Sequence, residues 1–383
     1  MRSKWDGLLA PTAALTDTAH PGTAVRFSAS LFLPEIADSV AVSVTVHAGS
    51  VSAYACDIVV PAPYRDSDMD IPAYALVLLT VCALVVSMIL LFIRRLRSYE
   101  IGWRTGLYLA AIAAVAFSTE LVETPELGLT WELLVVVLIT PIFVGLAVAV
   151  VWPIGESIAR EEMRPQLFAF DLLFKGRIMH AEVGKGILGG IAAGTALAAV
   201  WLLLVRLAGL AVPLWMTGHD QESLASIGTY SPMLIQLGRQ VVNAIFITAA
   251  LFLFVVSVFK RRIASPALLI VVGALPYAIL SGQDLHPFPL GSLIALAIGA
   301  GLVWTLLRIN ALALLVAVCT SGLILTTALM FSSGNPWLHS AATGHAGLAA
   351  VLIAWALAAL WTKDPDADPD AIAFLQHAES STG

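Results

Sequence analysis

Residues 156–164 read ESIAREEMR. The adjacent carboxylates Glu161 and Glu162, between Arg160 and Arg164, are residue types from which a metal-dependent hydrolase takes a ligand and a general base. They are equally the types that collar a helix where it leaves a membrane. A zinc site needs about three His, Asp or Glu side chains converging on one open position. The histidines do not supply them. His180 lies in the same charged segment and is expected to face water. His286 precedes Pro287 and reads as a solvated turn residue. His339 and His345 are six apart, so they point away from each other on a helix, and both flank a loop. No apolar stretch pairs a His with a Glu at helical spacing, and no G-x-S-x-G elbow is present. The expectation is a collar of solvated ion pairs, with no metal and no cofactor.

A second polar group lies inside an apolar stretch. In QLGRQVVNAIF, Gln236, Arg239 (or Gln240) and Asn243 recur at three- and four-residue spacing and so share one helical face. Charge within hydrocarbon is costly and marks a candidate functional face. Arg239 has two outlets: pairing with Glu120, Glu123 or Glu132, or snorkelling to the headgroups, as Arg206 is expected to do. The run Gly186-x-x-x-Gly190-x-x-x-Gly194 lets helices approach closely, within the chain or between subunits. Cys56, Cys82 and Cys319 form no C-x-x-C or zinc spacing and read as small hydrophobes.

The elements that must position these groups follow from composition. The 383 residues are 59% hydrophobic and 12% charged, with mean hydropathy +0.90. That is too little polar surface to wrap a core of this size in water. The expected fold is an all-α polytopic membrane protein with about nine transmembrane helices and a short β-rich extracytoplasmic N-terminal tail. Nine stretches have the necessary length: roughly 72–93, 105–122, 132–152, 184–210, 233–258, 265–281, 288–307, 310–331 and 344–361. The shortest contains Pro266 and Pro276, which suggests a kinked or re-entrant segment. Lys and Arg cluster after the first, third, fifth and seventh stretches, whereas the alternate loops contain neither. This places the N-terminus outside and the C-terminus inside a prokaryotic-type plasma membrane.

Five regions result. Residues 1–70 alternate polar and apolar in VRFSASLFL and SVAVSVTVH and form the β-rich tail, which has no signal-peptide pattern. Residues 71–152 hold three helices. Residues 153–183 form a cytoplasmic segment whose PQLFAFDLLFKGR reads as an interfacial amphipathic helix. Residues 184–361 form a six-helix core, and 362–383 an acidic disordered tail. The expected partners are the lipid bilayer and another membrane protein. Nucleic acid is excluded because the basic residues form short clusters at helix ends.

From about residue 150 to 322 the order of features resembles the CPBP family, the membrane proteases related to type II CAAX prenyl endopeptidases and bacteriocin-immunity proteins. The likeness lies in GESIARE, then GKGILGGIAAG, TAALFLFVVSVFKRR, LPYAILSGQDLHPFPLG and GAGLVWTLLRINALALLVAV. The resemblance implies an E-E-x-x-x-R motif and two later histidines that hold a metal. Here Thr248 and Ala249 stand at the glutamate positions, Leu253 at the arginine, and Ser281 and Val318 at the histidines. The resemblance therefore implies a degenerate, non-catalytic member with a binding, regulatory or immunity-like role. A transporter using Gln236, Arg239 and Asn243 is the alternative, and an active protease with an atypical site the third.

Overall fold

The computed structural model describes residues 25–33, 38–47, 50–58, 70–98, 102–121, 131–212, 214–216, 231–332 and 336–362. The chain divides into two units, Met1–Ile71 and Pro72–Gly383. In the first, β1 (Val25–Leu33), β2 (Asp38–His47) and β3 (Ser50–Ile58) pair antiparallel in chain order. The register slips between Thr45 and Val46. The rest of the tail expected over residues 1–70 lies outside the described residues, as does the acidic tail from 363 onward.

The second unit is helical. Its elements are α1 (Asp70–Ser98), α2 (Trp103–Leu121), α3 (Trp131–Glu162), α4 (Phe168–Phe174), α5 (Ala181–Ala211) and α6 (Pro232–Phe246). The chain of α6 continues through π-helical turns (Ile247–Val256) into α7 (Ser257–Lys260). There follow α8 (Pro266–Gly282), α9 (Phe288–Arg308), α10 (Ala311–Ser332) and α11 (Pro336–Trp361). Each of the nine apolar stretches coincides with a helix. Among the described residues, seven helices are long and apolar enough to cross a membrane. The molecule is a multi-span helical membrane protein.

Helix starts follow local chemistry. Prolines open α6, α8 and α9, where a missing N–H costs nothing. The Asn310 side chain accepts from the Ala313 N–H at 2.7 Å and caps α10. Despite Pro276, α8 is one continuous helix rather than a re-entrant loop. Its 17 residues span about 26 Å, somewhat short of a hydrocarbon core of about 30 Å.

Close helix contacts set the packing. Gly186, Gly190 and Gly194 are buried against α10. A Cβ on Gly190 would sit 2.6 Å from the Val316 Cβ and 2.7 Å from the Ala313 carbonyl oxygen. One on Gly194 would sit 2.6 Å from the Ala317 oxygen. The glycine run thus serves a contact within the chain. Gly238 brings α6 equally close to α2 at Ala116. Trp152, Phe252, Leu302, Leu306 and Leu314 are fully buried in the shared core.

Two helices exceed their expected bounds by about two turns or more. α3 continues past 152 to Glu162, with Pro141 and Pro153 inside it. Neighbouring helices re-satisfy the backbone groups that proline frees in such spans. α11 begins at Pro336 rather than near 344, because Leu338, Ala341, Ala342 and His345 form a buried face at helical spacing. The expected interfacial helix is also corrected. α4 has only seven residues, and its Phe170 and Leu172 are buried in the protein's own core. Phe168, Leu173 and Phe174 are half-buried and pack against the same core.

Candidate functional site

Buried charge among the described residues centres on the last two turns of α3. Trp152, Glu156 and Arg160 are four apart and share one face. Glu156 is 5% exposed. Its Oε2 accepts from the Trp152 indole N–H at 2.9 Å, and its Oε1 accepts from Arg160 Nε at 2.9 Å and Nη2 at 2.6 Å. The same guanidinium turns its other edge to Asp171, with Nη1 donating to Oδ2 at 3.0 Å and Nη2 to Oδ1. One arginine thus grips a single oxygen of a carboxylate on its own helix and both oxygens of one on α4, the latter in the bidentate geometry that suits its planar fork.

The route to Asp171 is set locally. α3 stops at Glu162, Pro165 opens a 3-10 turn over Arg164–Leu167, and α4 folds back over the end of α3. Phe170 meets the Trp152 ring at 5.2 Å, and Phe174 stacks on Tyr108 of α2 at 5.6 Å. Gln166 Nε2 donates to the Leu307 carbonyl at the end of α9 at 2.9 Å. A glycine in left-handed conformation, Gly176 with φ 79°, turns the chain toward α5. Nδ1 of His180 then accepts from the Glu182 N–H at 3.1 Å and caps α5.

Glu161 and Glu162 lie one turn further out. Glu161 pairs with Arg95 of α1 and with Arg261 at 3.0 Å, and Glu162 accepts from Arg261 Nε at 2.9 Å. These bonds hold the Arg261 guanidinium more firmly protonated, the Glu162 hydrogen bond foremost. The pair therefore ties together the ends of α1, α3 and α7. It does not converge with Glu156 through any histidine. Among the described residues, no group of three or more His, Cys, Asp or Glu side chains is placed to hold a metal ion.

The other candidates fall elsewhere. Thr248, Ala249, Leu253 and Val318 are buried, and Ser281 is half-buried. The Ala249 carbonyl oxygen and Leu253 Cβ lie against Gly155 of α3, where a Cβ would approach them to 2.7 and 3.3 Å. The Thr248 hydroxyl is buried without a hydrogen-bond partner. Along α6, Gln236 is buried, Arg239 half-buried and Asn243 exposed, so the polar face is graded rather than uniformly enclosed. Arg206 is exposed near the far end of α5. An open groove of about 440 Å³ between α2 and α6, lined by Ile112, Val115, Leu234, Leu237 and Val241, is almost wholly apolar.

Two histidines depart from expectation. His286 is buried, and its backbone pairs with Trp215 in a short antiparallel bridge (Trp215–Met216 with Leu285–His286). His345 is buried in α11, with Nε2 donating to the Met233 carbonyl of α6 at 3.1 Å and Nδ1 bonded to Thr327 Oγ1 of α10 at 3.1 Å. The carbonyl can only accept, so Nε2 carries the proton and Nδ1 accepts from the threonine.

The Glu156–Arg160–Asp171 network was not singled out from sequence. Its readable half was the four-residue spacing of Trp152, Glu156 and Arg160. No protein-family model, curated protein or solved structure matches the chain.

Proposed function

We propose that this chain is a non-catalytic relative of the CPBP membrane proteases with a binding or regulatory role, seated in a prokaryotic-type plasma membrane with its N-terminus outside. One observation supports this reading above the others. Where the resemblance calls for two glutamates and an arginine, Thr248, Ala249 and Leu253 are buried in the core, and Ala249 and Leu253 press against Gly155. A hydrolytic metal site needs an open coordination position for water, and that packing leaves none beside these side chains. Glu161 and Glu162, the adjacent carboxylates of the charged collar, are occupied as ties between helix ends. The orientation rests on the Lys and Arg clusters at the α1, α3, α7 and α9 ends.

The test is zinc content per chain, on full-length protein purified in mild detergent without chelator, alongside hydrolysis of prenylated and unprenylated peptides. Background zinc and no hydrolysis are expected, with Glu161→Ala and Glu162→Ala changing neither. Near-stoichiometric zinc lost on either substitution overturns the reading.

Solute transport is a second reading, favoured by one feature. Asn243 is exposed about 16 Å along the α6 span, near the depth of a bilayer centre. Transport in vesicles abolished by Arg239→Ala in a folded protein would favour it over the first.

A further inference from the structure

One end of the bundle carries a surplus of basic side chains, and the structure itself places them there together. Arg95 and Arg261 meet at Glu161, which joins the ends of α1, α3 and α7. Gln166 on the Leu307 carbonyl brings in the end of α9. The Thr362 hydroxyl on the Met179 carbonyl, at 2.6 Å, brings in the end of α11. At this end Glu156, Glu161, Glu162, Asp171 and Glu182 are each already engaged by Arg95, Arg160, Lys185 or Arg261. Among the described residues, Arg94, Arg104, Lys175, Arg177, Arg262 and Arg308 enter no ion pair.

Three of these cations converge on one feature. Phe174 stacks on Tyr108, and Arg104 lies one turn before Tyr108 on the same face of α2. Lys175 follows Phe174 directly, and Arg177 follows across the left-handed Gly176. All three are exposed. The next two residues, Ile178 and Met179, are 45% and 41% exposed although both are large and apolar. This tip is rigidly held: Arg160 fastens Asp171 behind it, and the Trp355 indole donates to Met179 Sδ at 3.2 Å. Exposed apolar side chains beside unpaired cations, fixed at the end of membrane-spanning helices, match the boundary between phosphate headgroups and acyl chains.

We infer that the tip Lys175–His180, together with Arg104, is a binding surface for anionic phospholipid headgroups. The phosphate sits among Arg104, Lys175 and Arg177, while Ile178 and Met179 rest in the acyl boundary. This goes beyond the proposed role and does not depend on it, since the zinc and hydrolysis measurements read a different part of the molecule.

The experiment reconstitutes the full chain in vesicles and measures the immobilised fraction of spin-labelled phosphatidylglycerol against spin-labelled phosphatidylcholine. At low salt, wild type should prefer the anionic lipid, by about fivefold per engaged charge as an upper bound. The triple variant Arg104→Gln/Lys175→Gln/Arg177→Gln should lose most of that preference, with an unchanged unfolding midpoint showing that it folds. Arg206→Gln, an exposed cation at the opposite end of α5, should leave the preference intact. Equal retention of both lipids by wild type overturns the proposal, as does a preference that the triple substitution leaves undiminished. So does a preference that inorganic phosphate removes more effectively than chloride at equal ionic strength, because that marks a free-anion site.

Discussion

Arg160→Met isolates the Glu156–Arg160–Asp171 network. The substitution keeps an unbranched apolar stem but removes the guanidinium from two carboxylates at once. Glu156 is 5% exposed and would lose its charge partner, retaining only the Trp152 indole at 2.9 Å. Stripping one partner from a fully buried ion pair costs about 3–5 kcal/mol. The Arg160 side chain is 37% exposed and that of Asp171 29%, so water reaches the outer half of the network. The Asp171 arm is accordingly worth about 1 kcal/mol or less, and the loss at Glu156 falls below the fully buried figure. The expected total is about 2–4 kcal/mol. Glu156→Gln/Arg160→Met should recover most of it, because the amide oxygen still accepts from Trp152 and no charge is left stranded. Denaturant titration in detergent micelles measures both variants, and trypsin cleavage at Lys175 or Arg177 reports release of α4. If Arg160→Met unfolds within about 0.5 kcal/mol of wild type, or the double variant is no more stable than the single, the coupling is absent and the reasoning fails.

Two further outcomes follow from the packing. Gly190→Leu drives a side chain into the Val316 Cβ, 2.6 Å from where its own Cβ must stand, and should cost about 3 kcal/mol or more in the same titration; Gly347→Leu, where nothing lies within 4 Å, should cost almost nothing. His345→Phe removes the bonds to Met233 and Thr327 and should cost about 1–3 kcal/mol, whereas His339→Phe on the exposed side of α11 should leave the midpoint within about 0.5 kcal/mol.

Hydropathy made the helices legible, because a run of about 20 apolar residues has few other solutions. It was least informative where helices carry polar cargo. PWLHSAATG reads as a loop by composition, yet the spacing of Leu338, Ala341, Ala342 and His345 is that of a helix face. The same oversight cut α3 short at 152, although Trp152, Glu156 and Arg160 continue its period. Two contacts were beyond sequence reasoning for a different reason. Asp171 reaches Arg160 because the chain reverses after Pro165, and buried His286 lies in a bridge to Trp215, some 70 residues earlier. Both depend on where a turn returns the chain, which no local pattern specifies. The glycine run was legible as a close contact, but which helix it meets was not.

The bundle is held by two kinds of contact, and their distribution has a mechanical consequence. Midway along the spans the glue is small residues on backbone, as at Gly190 and Gly194 against α10, a dispersion contact that tolerates little sliding. At the basic end the glue is largely polar and converges on residues 163–180. Asp171 holds α3, Gln166 holds the carbonyl end of α9, Phe174 stacks on α2, Met179 is bound by α11, and His180 caps α5. The bonds at Leu307 and Glu182 satisfy helix-end groups that would otherwise be orphaned, and displacing the segment costs several contacts together. A lipid or protein that engages the exposed Lys175–Met179 tip therefore acts on five helices at once. A ligand at the apolar groove between α2 and α6 touches only two.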